Sequence, residues 1–274
     1  MESLTSPPPP LRHLDRPIFL VGCGKSGTSV LGALLSCHPD VGPEFQSEEN
    51  VGASTQDRLN ALLRDELFGT LAAKMEQKAA WDRYLPIHSV PLRIGKELTL
   101  LRNPLSNSGK SRLVAALTTE FTQQRFFNKA PFNTFRIHVL RSLFPDAKLI
   151  AIHRDGRDVI ASWGRKQNRW SRFGGPEKAI PIFAGKWNEA VDHIERYRRE
   201  LDVKVVRYEE LIDNPQRIVA ALLEFCELDY DNELYDNLQL GNRVSLWQER
   251  IPASCHELVE SLTQRNRKRV STAA

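Results

Sequence analysis

The sequence has few of the features that mark secreted, metal-binding or membrane-spanning proteins. Only four of its 274 residues are cysteine, and no two of them have the Cys-x-x-Cys spacing of a zinc site or a redox motif. We therefore expect reduced thiols and no bound metal. No apolar run reaches the roughly 18 residues of a transmembrane helix, and the N-terminal stretch MESLTSPPPPLRHLDR lacks the apolar core of a signal peptide. These absences predict a cytoplasmic protein without an integral membrane segment.

The chain also lacks a strong excess of either charge. Its formal net charge is +4, with 26% charged and 41% hydrophobic residues, which is the balance of an ordinary globular protein. A weak positive charge suits an anionic ligand but is too small to predict a nucleic-acid partner. The run of four prolines predicts a disordered segment over residues 1–16. We expect one folded domain over residues 17–274.

Short apolar segments alternate with helical patterns along the chain. The predicted strands are Ile18–Val21, Leu149–Ile152 and Val203–Arg207, and each precedes an amphipathic helix. Strands that alternate with helices predict parallel βαβ units. We therefore expect an α/β fold, a three-layer sandwich with a central, mainly parallel sheet. Residues near 51–128 carry charged helical patterns and predict a mostly helical insertion that contributes to an acceptor site.

The stretch VGCGKSGTSVL lies between the first predicted strand and its helix. A glycine-bearing turn that enters a helix presents backbone N–H groups and the positive end of the helix dipole to a phosphate, and Lys25 adds a full charge. The turn is P-loop-like without being a Walker A motif, which would require glycine at the position of Phe19. A nucleotide kinase or NTPase that uses Mg-ATP remains an alternative. The residues that we assign to phosphate binding here are Gly24, Lys25, Ser26, Gly27, Thr28 and Ser29.

A second anion-binding pattern occurs in FPDAKLIAIHRDGRDVIASW. Arg154 leaves the tip of a predicted strand, the chain turns at Gly156, and Ser162 follows inside the next helix. Both side chains can converge on one phosphate, to which arginine offers a charged fork and serine a directional donor. The carboxyl ends of neighbouring parallel strands lie at one edge of the sheet. We therefore expect Arg154 close to Lys25.

The two motifs, in this order, resemble those of the sulfotransferases that use 3′-phosphoadenosine-5′-phosphosulfate (PAPS), especially the bacterial and tyrosylprotein-like branches. The resemblance extends from about Arg16 to Pro252. It implies that the first motif holds the 5′-phosphosulfate and the second holds the 3′-phosphate, which ATP and GTP lack. It further implies metal-independent transfer of a sulfuryl group from PAPS to a hydroxyl, with an amine as the second choice, and release of 3′,5′-ADP.

The resemblance also implies roles for three further positions. Lys25 would stabilise charge on the oxygen that bridges the phosphate and the sulfur. The segment VRYEELIDNP matches the one whose tyrosine lies beside the adenine, which is Tyr208 here. The segment NRVSLWQERI is similar to the one that closes over the nucleotide, although it lacks the Arg-Lys-Gly triplet of the cytosolic branch. We assign Arg243 as the substitute.

The general base that would accept the proton of the acceptor has several candidates. By resemblance to the tyrosylprotein-like branch it is a glutamate in GPEFQSEEN, and Glu44 is favoured because it is nearest to the first motif. Glu48 and Glu49 stay open, and so does a solvated acidic loop without a catalytic role. The cytosolic branch uses a histidine from its middle region, which corresponds to His88. The acceptor, be it carbohydrate, lipid, peptide or small molecule, and the oligomeric state have no signature in the sequence.

Overall fold

A computed structural model of the chain describes residues 16–41, 125, 127–129, 131–165, 169–236, 238–241 and 244–271. Nearly all of the predicted helical insertion and of the proline-rich segment lies outside these residues, so the predictions for them stay predictions.

The described residues form a sheet of four parallel strands. They are β1 (Ile18–Gly22), β2 (Phe127–Lys129), β3 (Lys148–His153) and β4 (Val203–Arg207), in the order β2-β1-β3-β4. All five residues of β1 are buried, because this strand pairs with β2 on one side and with β3 on the other. The predicted parallel sheet is confirmed. The short strand β2 was not predicted.

Helices follow the strands. The α-helices are α1 (Thr28–Ser36), α2 (Ile137–Leu143), α3 (Gly156–Arg165), α4 (Arg169–Arg172), α5 (Pro176–Tyr197), α6 (Tyr208–Asp213), α7 (Pro215–Cys226), α8 (Asn232–Tyr235), α9 (Trp247–Arg250) and α10 (His256–Ser271), and 3₁₀ turns precede α2 and α10 at Pro131–Arg136 and Ala253–Cys255. Within the described ranges, no helix combines the length and apolar character needed to span a membrane.

Alternate residues of the strands face opposite helical layers. Ile18, Leu20 and Ile150 point into a core formed with the buried apolar faces of α1 and α7. Phe19, on the other face of β1, contacts Phe144 with ring centroids 5.4 Å apart. Helix α5 packs on this second face against α3 and α10. The expected α/β sandwich with helices on both faces of the sheet is therefore confirmed in the described part of the chain.

Truncation of a core residue of α7 tests this packing. Leu222 is completely buried in the core beneath the sheet, so Leu222→Ala leaves a cavity and should lower the free energy of unfolding by about 2–5 kcal/mol. Glu224→Ala, at an exposed position of the same helix, should change it by no more than about 0.5 kcal/mol. Urea unfolding measures both values. Equal effects would contradict the described packing of α7.

Candidate functional site

Three chain segments meet at the carboxyl edge of the sheet. The first follows β1 at Gly22, the second follows β3 at His153, and the third follows β4 at Arg207. Gly22 pairs with Ile152, and His153 pairs with Arg207. The three segments therefore start within about one residue of each other along the strand direction. This edge is where ligands bind in parallel α/β sheets.

The first segment makes a tight turn into α1. Lys25 has a φ of 75° and Gly27 a φ of 97°, both in the left-handed region, and the N–H of Ser26 donates to the carbonyl of Cys23 at 3.0 Å. The side chain of Ser26 is buried, and its Oγ has no hydrogen-bond partner among the described residues. A buried hydroxyl of this kind normally has a partner. Its position at the start of α1 makes Ser26 available to a bound anion.

Cys23 precedes this turn, and its chemistry is limited by burial. Burial raises the pKa of the Cys23 thiol far above its ordinary value, and the positive charge of Lys186 lowers it by less. The group therefore stays protonated at neutral pH. A thiol in this state is a poor nucleophile, so Cys23 is a packing residue of the turn.

Gly27 is required by the ring of Tyr208. A Cβ atom at position 27 would lie only 2.3 Å from Cδ2 of Tyr208, well inside van der Waals contact. Tyr208 itself is 3% exposed. The turn after β1 and the aromatic ring after β4 are therefore in direct contact.

Arg154 completes the cluster from the end of β3. Its side chain is buried, Nη1 donates to the carbonyl of Lys25 at 3.3 Å, and the guanidinium carbon lies 4.3 Å from the ring centroid of Tyr208. This is the geometry of a cation–π contact. The backbone carbonyl of Arg154 accepts a hydrogen bond from Nε1 of Trp187 at 3.1 Å. The structure thus brings together Lys25, Gly27, Arg154 and Tyr208, as the sequence predicts.

The residue before Arg154 is held by a hydrogen bond to a carboxylate of α5. His153 is 2% exposed, and its Nε2 donates to Oε1 of Glu195 on α5 at 3.0 Å. Burial raises the pKa of the Glu195 carboxyl, but the hydrogen bond and charge of His153, with Arg198 and Arg269, outweigh it and leave this pKa below its usual value. Glu195 is therefore ionised at neutral pH and fixes the strand end from which Arg154 projects.

The remaining predicted site residues have different positions. Thr28 is buried and Ser29 half-buried in the first turn of α1, while Gly24 faces the indole of Trp163. Ser162 lies half-buried in α3, two turns after the start of that helix. That Ser162 shares a phosphate with Arg154 stays a prediction. Glu44, Glu48, Glu49, His88 and Arg243 all lie outside the described residues, and their proposed roles stay predictions as well.

One residue of this region was missed by the sequence analysis. Asp158 is 1% exposed and accepts hydrogen bonds from the backbone N–H groups of Ser245 and Leu246. In sequence it belongs to the polar run RDGRD, where an aspartate is usually solvated. The one sequence feature that sets Asp158 apart is its position in the first turn of a helix, where the helix dipole favours a carboxylate. That position does not indicate that the side chain is buried.

The chain is similar to a known protein family along most of its length. It matches the model of the Sulfotransferase family over residues 17–232. Since this match covers most of the chain, the protein belongs to the sulfotransferase family. Family membership favours the sulfotransferase prediction over the nucleotide-kinase alternative.

Curated relatives of the chain carry sulfotransferase names. The chain is 23% identical to protein-tyrosine sulfotransferase A of Caenorhabditis elegans over 84% of its own length and 54% of that protein. It is also 23% identical to protein-tyrosine sulfotransferase 1 of Danio rerio, over 85% and 59% of the two chains. The chain thus spans little more than half of these relatives.

Two solved structures share the fold. Sulfotransferase STF9 of Mycobacterium avium aligns with a TM-score of 0.57 at 17% identity, covering 94% of this chain and 77% of that one. The sulfotransferase domain from the curacin biosynthetic pathway aligns with a TM-score of 0.54 at 17% identity, covering 94% and 98%. At this identity the likeness concerns the fold alone.

Substitution of Gly27 tests the contact between the turn and Tyr208. Gly27→Ala places a Cβ against the ring on a left-handed backbone, so it should lower the free energy of unfolding by about 1–3 kcal/mol. Gly185→Ala makes the same change inside α5, where nothing lies within 4 Å of the new Cβ. That control should raise stability by about 0.5–1 kcal/mol. Urea unfolding compares the two, and effects of the same sign would contradict the described contact.

Proposed function

We propose that the protein is a PAPS-dependent sulfotransferase that moves a sulfuryl group to an acceptor hydroxyl and releases 3′,5′-ADP. The observation that carries the proposal is the contact between its two anion-binding motifs, in which Nη1 of Arg154 lies 3.3 Å from the carbonyl oxygen of Lys25. Two phosphate sites so close together suit a nucleotide that carries phosphate at both the 3′ and the 5′ position of its ribose. An amine acceptor is the second choice.

The described residues fit such a co-substrate. The backbone N–H groups at the start of α1, the hydroxyl of Ser26 and the charge of Lys25 would bind the 5′-phosphosulfate. Arg154 would bind the 3′-phosphate through its guanidinium fork. The buried Oγ of Ser26, which has no hydrogen-bond partner in the part of the chain that the structure describes, supports the first assignment. One face of the Tyr208 ring is occupied by Arg154, so the adenine would have to meet another part of this side chain.

The proposed reaction is an in-line displacement at sulfur. The acceptor oxygen forms a bond to sulfur as the bond between sulfur and the bridging oxygen of the 5′-phosphate breaks, and the electron pair of that bond stays on the phosphate. Lys25 would neutralise the charge that develops on the bridging oxygen. The proton of the acceptor passes to a base, for which Glu44, Glu48, Glu49 and His88 are the candidates.

The acceptor and the location are the least constrained parts of the proposal. A tyrosyl hydroxyl is the first acceptor to test, because the curated relatives are named protein-tyrosine sulfotransferases; carbohydrate, lipid and small-molecule hydroxyls follow. A cytoplasmic location is the accompanying proposal for where this reaction takes place.

Calorimetric titration with 3′,5′-ADP, in parallel with ADP plus magnesium, tests the nucleotide assignment. We expect metal-independent binding of 3′,5′-ADP, and a preference for magnesium-ADP would contradict the proposal.

Arg154→Ala should weaken 3′,5′-ADP binding by about 10- to 100-fold, because charge-assisted hydrogen bonds to the 3′-phosphate are lost. Binding of 5′-AMP should change much less.

Arg199→Ala is the matched control for this titration. Arg199 is exposed in the turn before β4, at the opposite edge of the sheet. Loss of its charge should leave both affinities unchanged within about twofold. If Arg154→Ala weakened the two nucleotides equally, its assignment to the 3′-phosphate would be wrong.

Replacement of Lys25 tests the transfer step. Lys25→Ala should lower kcat by about 100- to 1,000-fold, because the charge on the departing oxygen is no longer neutralised. The rate of 3′,5′-ADP release from PAPS, with a tyrosine-containing peptide as the first acceptor, measures the effect. Lys204→Ala, at an exposed position of β4, should retain the original rate. A Lys25→Ala enzyme with normal kcat would remove Lys25 from the mechanism.

A further inference from the structure

A buried carboxylate joins two separate parts of the candidate site. Asp158 lies in the first turn of α3 and is 1% exposed. Its Oδ2 accepts the backbone N–H of Ser245 at 2.8 Å, and its Oδ1 accepts that of Leu246 at 3.0 Å. A charge this deeply buried persists in a fold only where partners compensate its lost hydration. The two N–H donors supply part of that compensation.

The same carboxylate faces Arg154, which lies four residues earlier at the end of β3. Oδ2 of Asp158 lies 3.9 Å from Nη2 of Arg154. This distance is too long for a hydrogen bond, so the attraction is electrostatic and acts mainly on the orientation of the guanidinium. The carbonyl of Lys25 and the ring of Tyr208 contact the same group from other directions. Three contacts together restrict a side chain that is otherwise long and flexible.

The segment on the other side of Asp158 is also part of the expected site. Ser245 and Leu246 belong to NRVSLWQERI, which resembles the segment that closes over the nucleotide in sulfotransferases. The backbone of Ser245 has a φ of 58°, a conformation that non-glycine residues adopt at a cost unless neighbouring contacts hold them there. The hydrogen bonds to Asp158 hold this turn against α3.

We propose that Asp158 is a positioning residue for the 3′-phosphate of the nucleotide. It orients Arg154 and fastens the segment Ser245–Leu246 to α3, and it does so without touching the phosphate. The inference rests on the proposed function. A negative charge near a phosphate would by itself weaken binding. If Asp158 positions Arg154, removal of its charge should weaken the binding of 3′,5′-ADP. If Asp158 only repels the phosphate, removal of its charge should tighten that binding.

Asp155 offers a matched control in the same turn. Its carboxylate accepts hydrogen bonds from Arg157, with Oδ2 2.8 Å from Nη2, and lies 3.5 Å from Nε of Arg267. Asp155→Asn removes the same charge three residues away and leaves the described contacts of Asp158 in place. It therefore separates a general change of charge from the loss of these particular contacts.

Calorimetric titration of the intact protein with 3′,5′-ADP and with 5′-AMP tests the proposal. Asp158→Asn should weaken 3′,5′-ADP binding by about tenfold or more, since Arg154 loses the charged partner among its three described contacts. Its affinity for 5′-AMP should stay within about twofold, because that nucleotide lacks the 3′-phosphate. Asp155→Asn should leave the ratio of the two affinities unchanged.

Each other outcome decides against the proposal. Equal weakening of both nucleotides by Asp158→Asn would assign the residue a purely structural role. Unchanged or tighter 3′,5′-ADP binding would show that the carboxylate only repels the phosphate. If the unmodified protein failed to bind 3′,5′-ADP, the proposed function would fail, and the positioning role with it.

Amide hydrogen exchange in the unmodified protein gives a second test that needs no variant. If Arg154 links the 3′-phosphate to Asp158, saturating 3′,5′-ADP should slow exchange at Ser245 and Leu246 by about tenfold relative to saturating 5′-AMP. Equal exchange rates with the two nucleotides would overturn the proposal, whether or not Asp158→Asn folds.

Discussion

Parallel pairing of β1 with β3 is the constraint on which the candidate site depends. These strands are separated by more than a hundred residues of sequence, yet Gly22 pairs with Ile152, so the turn after β1 and the turn after β3 emerge side by side. A register shift of one residue would exchange the two faces of β1 and direct Phe19, which packs against Phe144, into the space filled by Ile18 and Leu20. The hydrophobic core therefore fixes the relative positions of Lys25 and Arg154 before any ligand is bound.

Packing around Tyr208 adds the third segment to this arrangement. The pairing of His153 with Arg207 places Tyr208 next to Arg154, and the ring fills the space that the missing side chain of Gly27 leaves open. Because the ring touches both neighbours, the turn around Lys25 and the side chain of Arg154 are not independent groups on separate loops. They form one packed unit at the edge of the sheet.

Local sequence patterns predicted the parts of this unit but not all of their connections. Three strands, the turn around Lys25 and the positions of Arg154 and Tyr208 follow from apolar periodicity, glycine placement and family resemblance. Strand β2 was missed because three residues carry no readable alternation. The burial of Asp158 was missed because its partners, Ser245 and Leu246, lie far away in sequence and contribute backbone groups that have no residue-specific signal.

The backbone of Lys25 is conformationally strained, and the two roles of this residue explain why. Its left-handed φ of 75° is unfavourable by about 1–3 kcal/mol for a residue with a side chain, and glycine would remove that penalty. Glycine, however, carries no charge, while the carbonyl of this same residue receives the hydrogen bond from Arg154. Under the proposed function, one position must thus supply a cation through its side chain and an acceptor through a left-handed backbone. No common amino acid meets both demands without strain. The turn therefore lowers the free energy of unfolding whether or not a ligand is bound.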